Sequence, residues 1–550
     1  MKKDKNLNVD EIFSLAVENH QKKELKKAVI YYEKVIVINQ QHIDAYNNLG
    51  GIHFLFKEYQ KAQSCYEKVI EIDPYHGQAH YNLGVLFRTL KDYQKSKSCY
   101  EKAIEIDPNF AAAHNNLGVI FEKLDQNNKA INYYKKAIEI NPNYLQAFNN
   151  LGIILVNQDK YQEAKNYFKK VIEIDPKNKT AFNNLGSFYL HLKEHEKAIK
   201  NYEKAIEIDP NYISAITNLA QCYISQLNFE KGISSSYKAL KTQYEHLKFI
   251  NQSVAKFRLK HDVEQAKYLS SKNYKIDGID EFQKMGNEIL NREENKYNDY
   301  NVNKKILLTP DEVNTLLPFY KAHHIYKPKI ISDSCINPNK NWQEVEDEYL
   351  NSSNQIMYID DFLSDEALIE LREFCLVSKV WNKQYDNKYL GAFAEQGFIS
   401  PIHLQIAVDL KKKLPKIFGP HNLGKFWGFK YDSTLGEGIN IHADFAIHNL
   451  NFWITPDEYN NNKKSGGLKV YDAPAPEHWT FKDYNRGGER TYKFLKDNNA
   501  KCTNVHYKFN RAVLFNSAYF HETDEIDFKD KYEGRRINNT YLFGNRLVVS

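Results

Sequence analysis

The feature that most constrains this chain is self-similarity at a period of 34 residues. The pairs Leu49-Gly50, Leu83-Gly84, Leu117-Gly118, Leu151-Gly152 and Leu185-Gly186 recur at that spacing, with Leu15-Ala16 and Leu219-Ala220 at the ends. The same interval links Ala62, Ser96, Ala130, Ala164 and Ala198, then Tyr66, Tyr100, Tyr134, Phe168 and Tyr202, then Pro74, Pro108, Pro142, Pro176 and Pro210. A unit of this length holds two helices and no complete core, so neighbours must stack to bury their apolar faces. Small residues fall where the two helices cross. Each proline closes the second helix, because it lacks an N–H and clashes with the preceding turn. Seven units fit between about residues 8 and 245. The first has Gln40 where proline recurs, and the last has Gly232 for alanine and Tyr244 for proline, as expected of terminal, capping units.

This pattern resembles the tetratricopeptide repeat, which implies an all-α solenoid with a concave groove. An asparagine precedes each Leu-Gly and Leu219-Ala220: Asn48, Asn82, Asn116, Asn150, Asn184 and Asn218. The array is similar to that of the nucleocytoplasmic O-linked N-acetylglucosamine transferases, where such a ladder holds extended polypeptide. The resemblance implies a protein or peptide partner gripped by these six amides, each able to donate and accept. Each bond contributes only about 0.5–1.5 kcal/mol net, so affinity comes from repetition and is largely blind to sequence. The alternative is that each asparagine bonds within its own repeat.

The second half carries His442-Ala443-Asp444, then His521 77 residues past Asp444, then Arg536 15 residues later. In an extended segment a His-x-Asp pair presents both side chains on one face. A distal histidine completes a 2-His-1-carboxylate set with open positions, the ligand pattern of non-heme Fe(II) oxygenases. Gly436 to Ile441 leads into His442, and Arg511 to Asn516 followed by Ala518 to His521 reads as strand, tight turn and histidine. Arg536, Asn538 and Thr540 share one face of a final basic strand. Ile356 to Ser364, followed by Asp365-Glu366, reads as a strand ending at a helix N-cap.

In this order, residues 350–550 resemble the 2-oxoglutarate/Fe(II)-dependent oxygenases of the prolyl-hydroxylase-like branch. The resemblance implies a C-terminal α+β double-stranded β-helix (jelly-roll) domain. His442, Asp444 and His521 would hold Fe(II), with O2 as co-substrate. Arg536, helped by Tyr431 and Asn538, would hold the co-substrate 2-oxoglutarate, since a guanidinium matches a carboxylate bidentately and stays charged. Arg535 is the alternative to Arg536 but lies on the opposite strand face. His448, on the same strand parity as His442, is the substitute ligand; otherwise it and His506 are structural or line the substrate. Ser465-Gly-Gly-Leu468 leading into Val470-Tyr471 reads as an inner strand after the first ligands. Residues 472–499, with Trp479 and Tyr484, are either a candidate substrate lid or a decorative insert.

At 550 residues the chain is expected to be multidomain: a repeat solenoid (8–245), a helical cap and linker (246–345) and an oxygenase domain (346–550). Helical spacing marks Phe257 to Tyr268, and the polar stretch 291–303 reads as linker. Lys and Glu alternate as solvated helix faces, and no basic cluster with interleaved aromatics suggests nucleic acid. Six cysteines without C-x-x-C spacing suggest reduced thiols. No signal-like segment and no run of ~18 apolar residues is present, so a soluble cytoplasmic protein is expected, with no membrane partner. The expected activity is a 2-oxoglutarate-dependent dioxygenase hydroxylating a protein or peptide brought by the repeats. The alternatives are an oxygenase of a small molecule whose repeats serve oligomerisation, and a repeat scaffold with an inactive oxygenase fold.

Overall fold

The computed structural model describes residues 7–245, 253–292, 305–331, 333–385, 389–432, 438–476, 479, 483 and 488–544. The chain forms two compact units, residues 1–188 and 189–550.

The first unit is built from paired helices in the expected register. The pairs are Val9–Gln21 with Leu25–Ile38, Ile43–Leu55 with Tyr59–Ile72, Gly77–Thr89 with Tyr93–Ile106, Ala111–Lys123 with Asn127–Ile140, and Leu145–Val156 with Tyr161–Ile174. Within each pair the turn places a non-glycine residue in the left-handed region: Lys23, Lys57, Lys91, Asp125 and Asp159 have φ between 59° and 62°. The reason is a helix C-terminus that satisfies its own carbonyls. Glu24 N–H reaches back to the Asn19 carbonyl at 2.9 Å and Lys23 N–H to that of His20 at 3.0 Å. The recurrent glycine is explained by the aromatic ring 16 residues on. A Cβ would lie 2.7 Å from the Tyr66 ring at Gly50, 2.6 Å from Tyr100 at Gly84, 2.7 Å from Tyr134 at Gly118 and 2.5 Å from Phe168 at Gly152.

The second unit includes the repeat helix His195–Ile208, and the two helices after it, Ile213–Ser225 and Phe229–Glu245, share an apolar core with later elements. The boundary expected at residue 245 is therefore not a boundary of packing. Ile224, Leu240 and Tyr244 are buried in the same apolar cluster as Phe257, Phe319, Phe374, Phe426 and Phe543. Polar ties reinforce the joint: the Tyr237 hydroxyl donates to the Ile399 carbonyl at 2.9 Å, the Tyr244 hydroxyl to the Lys379 carbonyl, and the Gln221 amide to the Gly424 carbonyl. The bridge is helical at Lys256–Ser271, Ile279–Leu290 and Pro310–Lys321. Most of the polar stretch read as linker, residues 293–303, lies outside the described residues.

A small ribbon pairs β1 (Ser253–Ala255) with β2 (Lys305–Leu307). The remaining strands are β3 (Ile356–Ile359), β4 (Lys383–Tyr385), β5 (Tyr389–Phe393), β6 (Leu423–Tyr431), β7 (His448–Trp453), β8 (Leu468–Pro474), β9 (Cys502–Val505), β10 (Ala512–Asn516), β11 (Tyr519–Thr523) and β12 (Ile537–Phe543). They form an antiparallel seven-stranded sheet, β3-β10-β7-β12-β6-β5-β4, and an antiparallel three-stranded sheet, β11-β8-β9. As expected, β3 runs into an N-cap: the Ser364 hydroxyl accepts from Ala367 N–H and opens the helix Asp365–Val377. The strand period sorts the faces of the large sheet. On β12, Ile537, Tyr541 and Phe543 enter the core, whereas Asn538 and Thr540 line a cavity on the other side. Both sheets contribute to a second apolar cluster, with Phe429, Tyr431, Trp453 and Phe515 from the large one and Leu468, Val470 and Val505 from the small one. No described helix is long and apolar enough to cross a membrane.

The glycine–aromatic contact makes a prediction of opposite signs. Gly118→Val should lower the melting stability of the chain by about 1–3 kcal/mol through overpacking against Tyr134. Gly51→Ala, where the nearest atom to a Cβ is the Tyr66 hydroxyl at 4.0 Å, should raise it by about 0.5–1 kcal/mol through helix propensity. Thermal unfolding of both variants checks the pair; equal shifts would remove the crossing argument.

Candidate metal centre

The segment from Ile439 to Ile447 is not the continuous strand expected for a His-x-Asp motif. Only His442 pairs, as an isolated antiparallel bridge with His521 in β11. His442 N–H donates to the His521 carbonyl at 3.0 Å and His521 N–H returns the bond at 2.8 Å. Two residues on, Asp444 N–H bonds the Ser517 carbonyl at 3.1 Å. The two imidazoles consequently lie with ring centroids 4.2 Å apart. One ligand atom from each of His442, Asp444 and His521 lies within 4.8 Å of the other two. Asp444 and His521 are buried, and His442 is half-buried.

Ring orientation follows from the backbone. His442 Nδ1 is 2.8 Å from the Asn440 carbonyl and His521 Nδ1 is 3.1 Å from that of Tyr519. A carbonyl can only accept, so each Nδ1 carries the proton and each Nε2 lone pair is open to a ligand. His521 Nε2 lies 3.5 Å from Asp444 Oδ2. Burial pushes the His521 pKa well down and the Asp444 pKa up, as expected of groups whose charge has lost its water. The Asn449 amide donates to Asp444 Oδ2 at 2.6 Å and fixes the carboxylate.

The cluster opens into a cavity of about 490 Å³ lined also by Tyr389, Trp427, Phe429, Tyr431, Arg536 and Asn538. Arg536, next to the start of β12, is fully buried. Its Nε donates to the Gly466 carbonyl at 2.6 Å and its Nη2 to that of Gly467 at 3.3 Å. Gly467 has no room for a side chain, since a Cβ would sit 1.9 Å from the Val505 carbonyl oxygen. The guanidinium also lies over the Tyr431 ring at 4.8 Å and the Trp453 ring at 5.5 Å. Its Nη1 and the Tyr431 hydroxyl are buried without a hydrogen-bond partner. Asn538 lines the same cavity, but its amide donates to Asn451 Oδ1 at 2.9 Å and Thr540 Oγ1 at 3.0 Å.

Of the alternatives, Arg535 turns away and pairs with Glu264 at 2.7 Å and Asp432 at 3.4 Å. His448 also points elsewhere, toward the Tyr349 hydroxyl at 3.3 Å and the rings of Phe418 and His421. Counting parity from His442 fails for it because the irregular stretch before β7 resets the alternation. The residues facing Asp444 are instead Asn449 and, beyond it, Asn451, whose amide donates to Asn449 Oδ1 at 2.6 Å. Sequence reasoning passed over both; their period-2 spacing in His-Asn-Leu-Asn was the available signal. His506 is exposed and does not line the cavity. The expected inner strand after Ser465-Gly-Gly is β8, although β7 intervenes between it and the ligands. Trp479 does not line the cavity; it packs with Phe494 and Phe520 in a separate cluster, and Tyr484 lies outside the described residues.

The asparagines of the repeats take partners one repeat back. Asn82 donates to Asn47 at 3.0 Å, Asn150 to Asn115 at 3.0 Å, Asn184 to Asn149 at 3.2 Å, and Asn116 to the Tyr81 hydroxyl at 3.0 Å. The amides thus form a ladder that stitches neighbouring repeats, neither wholly free for a peptide nor closed within one repeat. Asn48 and Asn218 are half-buried in the same register.

Comparison with known proteins speaks to the repeats. The tetratricopeptide repeat family matches residues 41–109, 111–144, 145–178, 180–212 and 201–234. No curated protein matches the chain. Among solved structures, the chain is similar to YrrB, a TPR protein with an unusual peptide-binding site, at 30% identity over 34% of this chain and 95% of that one, with a TM-score of 0.28. It is also similar to pilF of Pseudomonas aeruginosa, at 17% identity over 38% of this chain and 94% of that one, with a TM-score of 0.34. The Cut9–Hcn1 hetero-tetramer of the APC/C aligns at 18% identity over 44% of this chain and 47% of that one, with a TM-score of 0.37. Through this stretch the chain is a tetratricopeptide repeat protein.

Proposed function

We propose that the second unit is an Fe(II)- and 2-oxoglutarate-dependent dioxygenase that hydroxylates a protein or peptide recruited by the repeats. The observation that carries this reading is the His442–Asp444–His521 cluster, with both Nδ1 protons committed to backbone carbonyls and both Nε2 atoms left as donors. Two neutral imidazoles and one carboxylate, with part of the coordination sphere open to the cavity, suit ferrous iron. Two antiparallel sheets sharing an apolar cluster around the cavity support a double-stranded β-helix. When bound, the iron and O2 supply the oxidant, one oxygen atom going to a substrate C–H and the other to the succinate formed with CO2 from 2-oxoglutarate.

The remaining steps fall to this chain's own residues. Arg536 Nη1, buried and unpartnered, fits the far carboxylate of the co-substrate, with the Tyr431 hydroxyl as a second donor. The glycine carbonyls and two ring faces hold the guanidinium so that little freedom is lost on binding. Asn449 orients Asp444. The aromatic wall of Tyr389, Trp427 and Phe429 limits water at the reacting C–H bond.

A second reading has its own support, because the family comparisons cover the repeats alone. In that reading the chain is a tetratricopeptide interaction scaffold whose cavity has no turnover. Anaerobic Fe(II) titration and succinate assay separate the two. The oxygenase reading expects stoichiometric iron in the wild type, and expects Asp444→Ala to lose both iron and succinate formation while retaining its far-UV spectrum. Undiminished turnover by Asp444→Ala would overturn the ligand assignment; stoichiometric iron without succinate from any protein or peptide would favour the scaffold. Arg536→Gln should keep iron and weaken 2-oxoglutarate by about 1.5–3 kcal/mol, roughly 10- to 150-fold in Kd, the value of a charged hydrogen bond. Unchanged 2-oxoglutarate affinity would remove Arg536 from its role.

A further inference from the structure

A second cavity, of about 390 Å³, adjoins the first: Lys425 and Phe445 line both. Its volume falls within the roughly 300–1,000 Å³ of ligand clefts. The last repeats supply one wall through Lys193, His195, Gln221 and Ser225, and the loop before β6 supplies the other through His421 and Asn422. Its lining holds two lysines and two histidines and no aspartate or glutamate. Lys193 sits at a left-handed turn with φ of 60° and is exposed. Lys425 Nζ lies 5.6 Å from the Phe445 ring centroid. Neither lysine makes a salt bridge among the described residues. Glu395 acts on Lys425 but does not line the cavity, and burial pushes its pKa up, toward the neutral form. The cavity is therefore a recess with two lysine ammonium groups and the Asn422 amide, adjoining the candidate metal centre across one lysine and one ring.

We infer that this recess docks an acidic stretch of polypeptide. Charge complementarity selects the acidic side chains, and the exposed Asn422 amide offers hydrogen bonds to an extended backbone. Single-stranded nucleic acid shares the anionic chemistry, but the recess offers Phe445 as its one aromatic ring, where base stacking needs several. Docking itself is independent of the oxygenase reading; that the docked segment belongs to the substrate rests on it. In that case the modified residue lies a short distance along the chain from a cluster of Asp or Glu.

The test is fluorescence anisotropy with the full chain in EDTA, so that iron plays no part in the outcome. The probes are a labelled peptide of alternating Glu and Gly, its Lys-Gly counterpart, and an oligothymidylate of equal length. The Glu-Gly peptide should bind at low ionic strength and the Lys-Gly peptide should not. Lys193→Glu should weaken the Glu-Gly peptide by about five- to tenfold, an attraction turned into a repulsion at a partly exposed site. Ser225→Glu, at the end of the helix Ile213–Ser225 in the same wall, should do likewise. Equal affinity in both variants and the wild type, no binding by the Glu-Gly peptide, or tighter binding of oligothymidylate would each overturn the assignment. Because the assay is metal-free, a wild type that docks the peptide but binds no iron would sink the oxygenase reading alone.

Discussion

Two backbone hydrogen bonds between His442 and His521 are the contact on which the candidate centre depends. They join segments far apart along the chain and set two imidazoles, tilted with ring centroids 4.2 Å apart, beside Asp444. Each such bond contributes only about 0.5–1.5 kcal/mol net, too little to assemble the site unaided. The assembly comes from the sheets. His521 lies in β11, whose pairing with β8 fixes Val470 opposite it, and the chain between Asp444 and β7 is held against the turn between β10 and β11. A slip of one residue in that pairing would send the His521 ring to the opposite face.

Adjacent arginines show how the same environment treats two identical side chains differently. Arg535 meets Glu264 and Asp432 and is neutralised within the fold. Arg536 meets carbonyls, ring faces and the Tyr431 side chain, and no carboxylate pairs with it among the described residues. Burying a cation without a counter-charge costs several kcal/mol. The guanidinium lines the same cavity as His442, Asp444 and His521. From Asp444 a chain of hydrogen bonds runs through Asn449 and Asn451 to Asn538 and Thr540 on β12.

The repeats carry a related lesson. Their helices cross at glycines because a ring from the second helix occupies the space a methyl group would need. The last repeats then continue into the core of the second unit instead of ending in solvent, with Leu240 and Tyr244 buried there and Gly397 admitting Leu240 so closely that a Cβ would meet it at 2.6 Å. A terminal repeat normally needs a polar outer face. Here Gly232 and Tyr244, the departures from the repeat pattern, lie in the helix that is covered by later residues.

What depends on near neighbours along the chain was legible in the sequence. The 34-residue register, the Leu-Gly and tyrosine pairing, the Ser364 N-cap, and the shared face of Arg536, Asn538 and Thr540 all follow from helix and strand periodicity. The types and order of His442, Asp444 and His521 marked them as a candidate ligand set, and the fold brings the three together. The tertiary structure decided the rest. It left the segment around Asp444 irregular, turning His448 toward Tyr349 and Phe418 and bringing Asn449 onto the carboxylate; it gave the repeat asparagines partners one repeat back; it drew Trp479 into a separate cluster; and it moved the boundary of packing from residue 245 to 188. Periodicity is set by backbone geometry within a few residues. Register, partner and burial are set by segments that meet only after the chain has folded.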